Sequence, residues 1–358
     1  MTRRTARPSR ATPHRPRPRP SAAGAGVVDD RVVDATVAQL RAIERQGGDG
    51  TLSLPDGVAL PVTSLDRVYF PATGATKRDV TKGDVMRFYA RLSPALLPAI
   101  ADRPLVLRRY PAGIDGPSFH QHDPGPHTPP GVRTELVVAA SAPAPERRLV
   151  GAGAAEPGPA IATLLYPVQL GAIPINAWHS RVGAIDSPDY AVLDLDPHPK
   201  AGFARVVEVA RLVRDALRRR ALDALVKTSG SRGLHLLVPL GPDASYDASA
   251  ALAAEVAAEV AASHPALATV ERSLDERRPG TVYVDHLQNA AGKTLAAVFA
   301  VRARPGATVS TPLGWSQVTR TLDPNRYTIA SVARQRTRHM ARWAAAWPEG
   351  NPGGRRPR

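Results

Sequence analysis

The chain has 358 residues, 43% of them hydrophobic, and no cysteine, so it can bury a sizeable core but contains neither disulfides nor cysteine-ligated zinc. Its formal charge of +15 sits mostly at the ends: residues 1–20 carry seven arginines and no acid, residues 331–358 carry seven arginines against Glu349, and the two tails together hold +13. No apolar stretch follows the Arg3-Arg4 pair and no run approaches the roughly 18 residues of a membrane span, so the expectation is a cytoplasmic, reducing setting without a membrane partner. Arginine outnumbers lysine 42 to 5 beside heavy alanine use, a pattern closer to coding bias than to recognition chemistry.

In chain order, the Pro/Arg-rich arm over 1–26 reads as disordered. "VVDDRVVDATVAQLRAIERQ" spaces its apolar residues as an amphipathic helix that "GGDG" breaks, which makes 27–50 a helical extension. The body opens at 51 with a hairpin around Pro55-Asp56-Gly57, a helix over about 81–101 and a strand at "PLVLRRY". Residues 141–160 are Pro/Gly/Ala-rich and weakly periodic, and predict a connector between two lobes. Gly151 and Gly153 within it form only a partial dinucleotide-type pattern. A strand over 189–196 follows, then a helix with Phe203, Val206, Val207, Ala210, Val213 and Leu217 on one face. Strands at 223–228 and 234–238, an Ala-rich helix over 247–263, and strands at 281–287 and 295–302 complete a body that runs to 333, with 334–358 as a basic tail. No repeat of 20 to 50 residues occurs, and the fold class is mixed α/β (α+β). The basic arms are either solvated ends or sequence-independent phosphate neutralisers whose contribution falls as salt rises.

"AVLDLDPHP" places Asp194 and Asp196 on one face of a strand, because residues two apart point the same way, while Leu193 and Leu195 bury behind them. Carboxylates roughly 6 to 7 Å apart at the end of a buried strand repel unless a cation sits between them, and oxygen ligands of this kind suit Mg²⁺ or Mn²⁺. The alternative is that Asp196 caps the next helix and Asp194 is solvated. "VKTSGSRGLHLLVPL" sets small residues, Arg232 and His235 around a turn between two apolar strands. Backbone N–H groups of Ser229 to Gly233, the Ser229 hydroxyl and Arg232 suit a phosphate, or the segment is a hairpin with an exposed arginine. "TVYVDHLQN" adds Asp285, either an edge acid or a third ligand completing a carboxylate cluster for two ions, which would align an attacking hydroxyl with a nucleotide α-phosphate.

"LDLDP", "TSGSRGLHLLVPL", "VYVDHLQN" and "VRARPGATVSTPL" together resemble the polymerase domain of bacterial ATP-dependent DNA ligase D, in the archaeo-eukaryotic primase superfamily. "LDRVYFPATGATKRDV" and "RPLVLRRYPAGIDGPSFHQ" resemble its N-terminal signatures, so the likeness covers about 50–333. The resemblance implies a primase-type fold with an RRM-like antiparallel catalytic sheet and an N-terminal lobe. It also implies that Asp194, Asp196 and Asp285 bind two metals and that Ser229, Arg232, His235, Gln288 and Arg302 surround the nucleotide. By the same likeness Arg67 and Lys77 read the 5′-phosphate at a gap, and Arg108, Arg109 and Phe119 contact the template and base pair. The implied activity is gap filling and end extension in non-homologous end joining, with ribonucleotides preferred, on gapped or broken 5′-phosphorylated DNA and with Ku and a separate ligase as partners at the nucleoid.

The family often carries His-x-Trp where this chain reads Asn176-Ala177-Trp178, and lysine where it has Arg67, whose guanidinium still suits phosphate. No Lys-x-Asp-Gly nucleotidyl acceptor is present, so the expectation is a stand-alone polymerase. A primer-synthesising primase and a catalytically silent DNA-end-binding accessory protein are the alternatives. A histidine at 235 also suits a hydrogen-bonded core position.

Overall fold

A computed structural model describes residues 28–73, 78–138, 144–153 and 156–346; the arm over 1–26 and Lys77 lie outside them. Helix α1 (Asp30–Arg45) starts where the Asp29 side chain accepts from Val32 N, and buries Val33, Val37, Leu40 and Ile43 at helical spacing. Strands β1 (Gly50–Ser53) and β2 (Ala59–Val62) form the expected hairpin, with Leu52 opposite Leu60. The short pair β3 (Val68–Phe70) and β4 (Val80–Thr81) leads into α2 (Lys82–Ile100), whose first turn is closed by a Thr81–Asp84 capping box.

Next come β5 (Leu105–Arg109), β6 (Phe119–Gln121), the hairpin of β7 (Thr134–Val137) with β8 (Glu146–Leu149), and α3 (Pro157–Gln169). The stretch over 141–160 therefore contains β8 and the start of α3, where a plain connector was expected. Pro157 at the first helical position is compatible with a helix, so a Pro/Gly-rich composition conceals the start of a buried apolar one. After β9 (Ala172–Trp178) and β10 (Tyr190–Pro197) follow α4 (Phe203–Arg219), β11 (Leu225–Thr228), β12 (Leu234–Pro239), α5 (Tyr246–Ser263), β13 (Ala268–Thr269), β14 (Val282–Asp285), β15 (Thr294–Ala296) and β16 (Pro312–Leu313). The strand expected over 295–302 stops at Ala296. Beyond it Phe299 takes a positive φ of 63°, which breaks an extended run.

Two sheets carry the architecture. One has the order β13-β14-β10-β12-β11-β16, antiparallel apart from the parallel β13–β14 pair; the other, β15-β9-β5-β6, is antiparallel throughout. Alternation assigns the faces of the first sheet. Ala191, Leu193, Leu195, Val226, Leu234, Leu236, Val282 and Val284 pack with α4 and α5 in one core, while Val192 and Leu237 point the opposite way into a second core shared with α1, α2 and α3. Fully buried Arg103 ties the sheets together: it donates to the carbonyls of Trp178 (3.1 Å) and His179 (2.6 Å) at the end of β9 and pairs with Asp189, just before β10.

The folded body continues past 333. Helix α6 (Ile329–Arg334) and helix α7 (Arg336–Ala346) are the last described elements, α7 lies against α2, Trp343 is 7% exposed within the core shared with α1, α2 and α3, and Arg336 pairs with Asp30 at 2.8 Å. The arginine-rich segment expected as a tail thus includes an anchored helix. Trp343→Ala is expected to destabilise the protein by about 3 kcal/mol, the usual cost of removing a large aromatic from a core, read as a shift in the urea midpoint at unchanged slope. A midpoint within error of the parent would show that α7 is not part of the folding unit.

Candidate active site

The register of the first sheet brings titratable groups into one row. Asp194 on β10 lies opposite Asp285 on β14 and opposite His235 on β12, and His235 lies opposite Lys227 on β11. All four residues stand on the face of the sheet away from α4 and α5, because their sequence neighbours fill that core. Burial, then the charges of Asp285 and Asp196, push the Asp194 carboxyl up to about 7, against the opposing pull of Lys227 and Arg302. The His235 Nε2 is 3.5 Å from Asp194 Oδ1, and its Nδ1 is 2.7 Å from the Lys227 ammonium nitrogen. Burial holds Lys227 well below the usual lysine range; Arg302 acts in the same direction and Asp194 against it.

The other two aspartates have their own neighbours. Asp196 lies 3.5 Å from Arg277 and 3.9 Å from Arg232, and it does not cap α4, whose N-cap is Gly202. Arg277 is stacked 4.2 Å over the Tyr283 ring and donates to the carbonyls of Glu271 and Arg272. Nothing in the loop sequence "ERRPG" singles it out, since only the fold sets it against Asp196. Asp285 accepts from Leu287 N (2.8 Å), from the Tyr283 hydroxyl (3.3 Å) and from Gln288 Nε2 (2.9 Å).

The turn between β11 and β12 is built around Ser229. Its Oγ accepts from Ser231 N (3.0 Å) and Gly233 N (3.1 Å), and its own N–H bonds Gly233 O (3.0 Å). Three of the N–H groups expected to face a phosphate are therefore spent inside the turn, because a tight turn satisfies its own donors before it can offer them outward. What the turn does present is side chains. Arg302 donates to Ser229 O (3.0 Å) and Arg304 to Ser231 Oγ (2.8 Å). Glycine is required at Gly230, with φ of 67° and Arg302 Cγ 2.6 Å from where a Cβ would stand, and at Gly233, where a Cβ would collide with the Leu195 carbonyl between the two aspartates of β10.

A cavity of about 270 Å³ opens between the two sheets over this row. Asp194, Asp196, Ser229 and Arg232 line one wall with His235, and Gln288 and Arg302 complete it. The second sheet contributes Asn176 of β9 and Thr294 to Ala296 of β15, so Asn176 does reach the pocket. Among the described residues no three His, Cys, Asp or Glu side chains are gathered closely enough to hold an ion as they stand. The donor set nonetheless fits a divalent cation: the oxygens are hard ligands, and the burial and the repulsion from Asp285 and Asp196 that raise Asp194 are what a bound cation offsets.

A family model described as the LigD primase-polymerase domain matches residues 81–343. The chain belongs to the LigD primase-polymerase domain family. By family it is a DNA-directed nucleotidyltransferase. A solved structure titled polymerase domain from Mycobacterium tuberculosis ligase D in complex with DNA superposes with a TM-score of 0.67 at 30% identity, over 77% of this chain and 94% of that one. The multifunctional non-homologous end joining protein LigD of Pseudomonas aeruginosa is 30% identical over 278 residues, and the bifunctional LigD of Bacillus subtilis 29% over 289. These matches take in 76% and 78% of this chain but only 31% and 43% of those proteins, so the chain spans less than half of each.

The remaining residues singled out in the polymerase domain lie away from the carboxylate row. Arg67 precedes β3 and donates to Pro111 O at 2.7 Å, while its expected companion Lys77 is outside the described residues. Arg108 and Arg109 end β5, and Phe119, 48% exposed, starts β6 opposite Arg109. Arg109 is largely committed, bonding Leu170 O and Gln121 Oε1 and lying over the Phe119 ring, whereas Arg108 lies 3.3 Å from the Ser118 hydroxyl and 5.5 Å from the Tyr110 ring. Sequence reasoning passed over Lys82, which is buried at the start of α2 with Nζ on Thr63 O (2.8 Å) and Gln169 O (3.0 Å), and which burial and the charge of Arg67 lower to about 8. Gly233→Ala is expected to destabilise the protein by roughly 2 kcal/mol and to cut primer extension more than tenfold, because the clash is with backbone beside Asp194. Gly241→Ala, where a Cβ meets nothing within 4 Å, is the matched control and should change neither. Equal behaviour of the two variants in thermal melts and extension would remove the close approach from the account.

Proposed function

We propose that the chain carries out template-dependent nucleotidyl transfer, filling gaps and extending ends at double-strand breaks, with two divalent ions and a preference for ribonucleotides. The observation that carries this reading is the pairing of Asp194 with Asp285 across β10 and β14, beside a cavity that Asp194 and Asp196 line together with Arg232 and Arg302. Asp194, Asp196 and Asp285 would hold Mg²⁺ or Mn²⁺, which supply charge stabilisation at the α-phosphate and the leaving pyrophosphate. The chain's own groups do the rest. Arg232 and Arg302 neutralise and orient a triphosphate, Ser229 holds the turn that carries Arg232, and His235 offers an N–H from the pocket floor. Gln288 braces Asp285 from the side.

DNA is the proposed partner because the solved relative was determined in complex with it, and Ku and a separate ligase are proposed because the relatives are end-joining proteins. Arg67 with Lys77 takes the 5′-phosphate at the far side of a gap, and Arg108, Arg109 and Phe119 face the template.

One assay tests the chemistry and the substrate together: extension across gapped DNA with and without a 5′-phosphate, with each sugar, beside binding titrations. Asp194→Asn and Asp285→Asn are expected to lower extension about 10³-fold, the several kcal/mol that charge stabilisation contributes, with DNA affinity within about twofold. The double change Arg67→Ala and Lys77→Ala is expected to erase the preference for the phosphorylated gap and leave the carboxylate-dependent rate on unphosphorylated DNA in place. Near-parental extension by Asp285→Asn would contradict the three-carboxylate assignment, and a deoxynucleotide preference would contradict the sugar assignment.

A further inference from the structure

Lys227 carries a buried amine beneath the nucleotide cavity, and the reaction as described makes no use of it. Its Nζ has three neighbours: Ala296 O at 2.9 Å, Ser310 Oγ at 2.6 Å and His235 Nδ1 at 2.7 Å. The first can only accept. The second has its own proton engaged, since the Ser310 hydroxyl donates to Thr228 O at 2.8 Å, so toward Lys227 it also accepts. With two N–H groups so placed, the ammonium form of Lys227, which the charge of Asp194 favours, directs its third donor at His235 Nδ1.

The far side of the imidazole imposes the same order. Nε2 lies 3.5 Å from Asp194 Oδ1. A ring with its proton on Nδ1 would present the Nε2 lone pair to a carboxylate oxygen, two acceptors facing each other. A ring with its proton on Nε2 presents a donor both to that carboxylate and to the cavity that His235 and Asp194 line. The row then has one direction, the ammonium donating to the imidazole and the ring N–H facing the carboxylate at 3.5 Å. The Ala296 bond adds a mechanical effect: it crosses from β11 to β15 of the second sheet, so the same side chain that sets the ring also fastens the two walls of the pocket.

We propose that Lys227 is a positioning residue for nucleotide binding, which holds His235 in the Nε2–H tautomer with that N–H aimed into the cavity while tying β11 to β15. This rests on the nucleotide-pocket reading for its kinetic consequence, whereas the tautomer itself does not.

The test therefore has two parts. In the protein labelled with ¹⁵N at histidine, without metal or nucleotide and at neutral pH, the ring nitrogens of His235, assigned by their loss in His235→Ala, are expected to show a protonated Nε2 and an unprotonated Nδ1. A proton on Nδ1 overturns the proposal whatever any variant does. In extension assays, Lys227→Met, which keeps the aliphatic stem and removes the donors, is expected to raise the nucleotide KM about tenfold with kcat changed less than threefold, the effect of one misdirected charge-assisted bond. Added to His235→Ala it should raise KM by less than twofold more, because it acts through the ring. A fully additive double variant, or a folded Lys227→Met with parental KM, overturns it. If Lys227→Met does not fold, the tautomer in the parent protein decides. If His235→Ala alone leaves KM unchanged, the nucleotide-pocket reading fails, and the ring nitrogens still report separately on the link to Lys227.

Discussion

The structure is organised around a repulsion. Asp194, Asp196 and Asp285 end two adjacent strands on the same face of the sheet, each only partly exposed, and an uncompensated cluster of this kind opposes folding. Compensation comes from several directions: Arg277 and Arg232 beside Asp196, Gln288 and the Leu287 N–H on Asp285, and His235 with Lys227 behind Asp194. Burial, with the charges of Asp285 and Asp196, still pushes Asp194 up to about 7, so these neighbours offset the cost only in part. A site that stabilises its anions only in part retains a drive to bind cations, which is what the proposed metal-dependent phosphoryl transfer requires.

The sheets supply the rigidity that such a cluster needs. Leu193 and Leu195 anchor β10 in the core beneath α4 and α5, so the side chains of Asp194 and Asp196 have one direction available. Gly233 lets the Ser229 turn lie directly against the Leu195 carbonyl, which brings Arg232 and, through Ser229 O, Arg302 to the same rim. Two buried cations join the sheets at different heights, Arg103 between the end of β9 and the start of β10, and Lys227 between β11 and β15. The cavity is thus a fixed gap between two clamped layers, a suitable arrangement for chemistry that depends mostly on positioning.

Legibility in the sequence followed the range of the interactions. Alternation placed Asp194 and Asp196 on one face, helical spacing found α1 and α4, and alanine-rich composition found α5, because those patterns are local. The face-to-face meeting of Asp194 with Asp285 and His235 depends on strand register, which no local pattern encodes; resemblance to the ligase D polymerase domain grouped these residues before register explained why. The turn at Ser229 misled in one respect, since its glycines suggested outward N–H groups while the Ser229 hydroxyl turns them inward. Arg277, Lys82 and Lys227 were invisible because each acquires its partners from distant segments. The buried part of α7 was hidden by arginines on its exposed side, and the start of α3 by prolines that a helix tolerates in its first turn.

The central claim is that the carboxylates of β10 and β14 form one cation-holding centre at the floor of the nucleotide cavity. Diffraction at the manganese edge from crystals soaked with Mn²⁺ and a non-hydrolysable ribonucleoside triphosphate tests it directly. The account predicts anomalous peaks at coordination distance, about 2.1 Å, from Asp194 together with Asp285 or Asp196, with the triphosphate against Arg232 and Arg302. A nucleotide ordered elsewhere, with no peak bridging two of the three carboxylates, would contradict it.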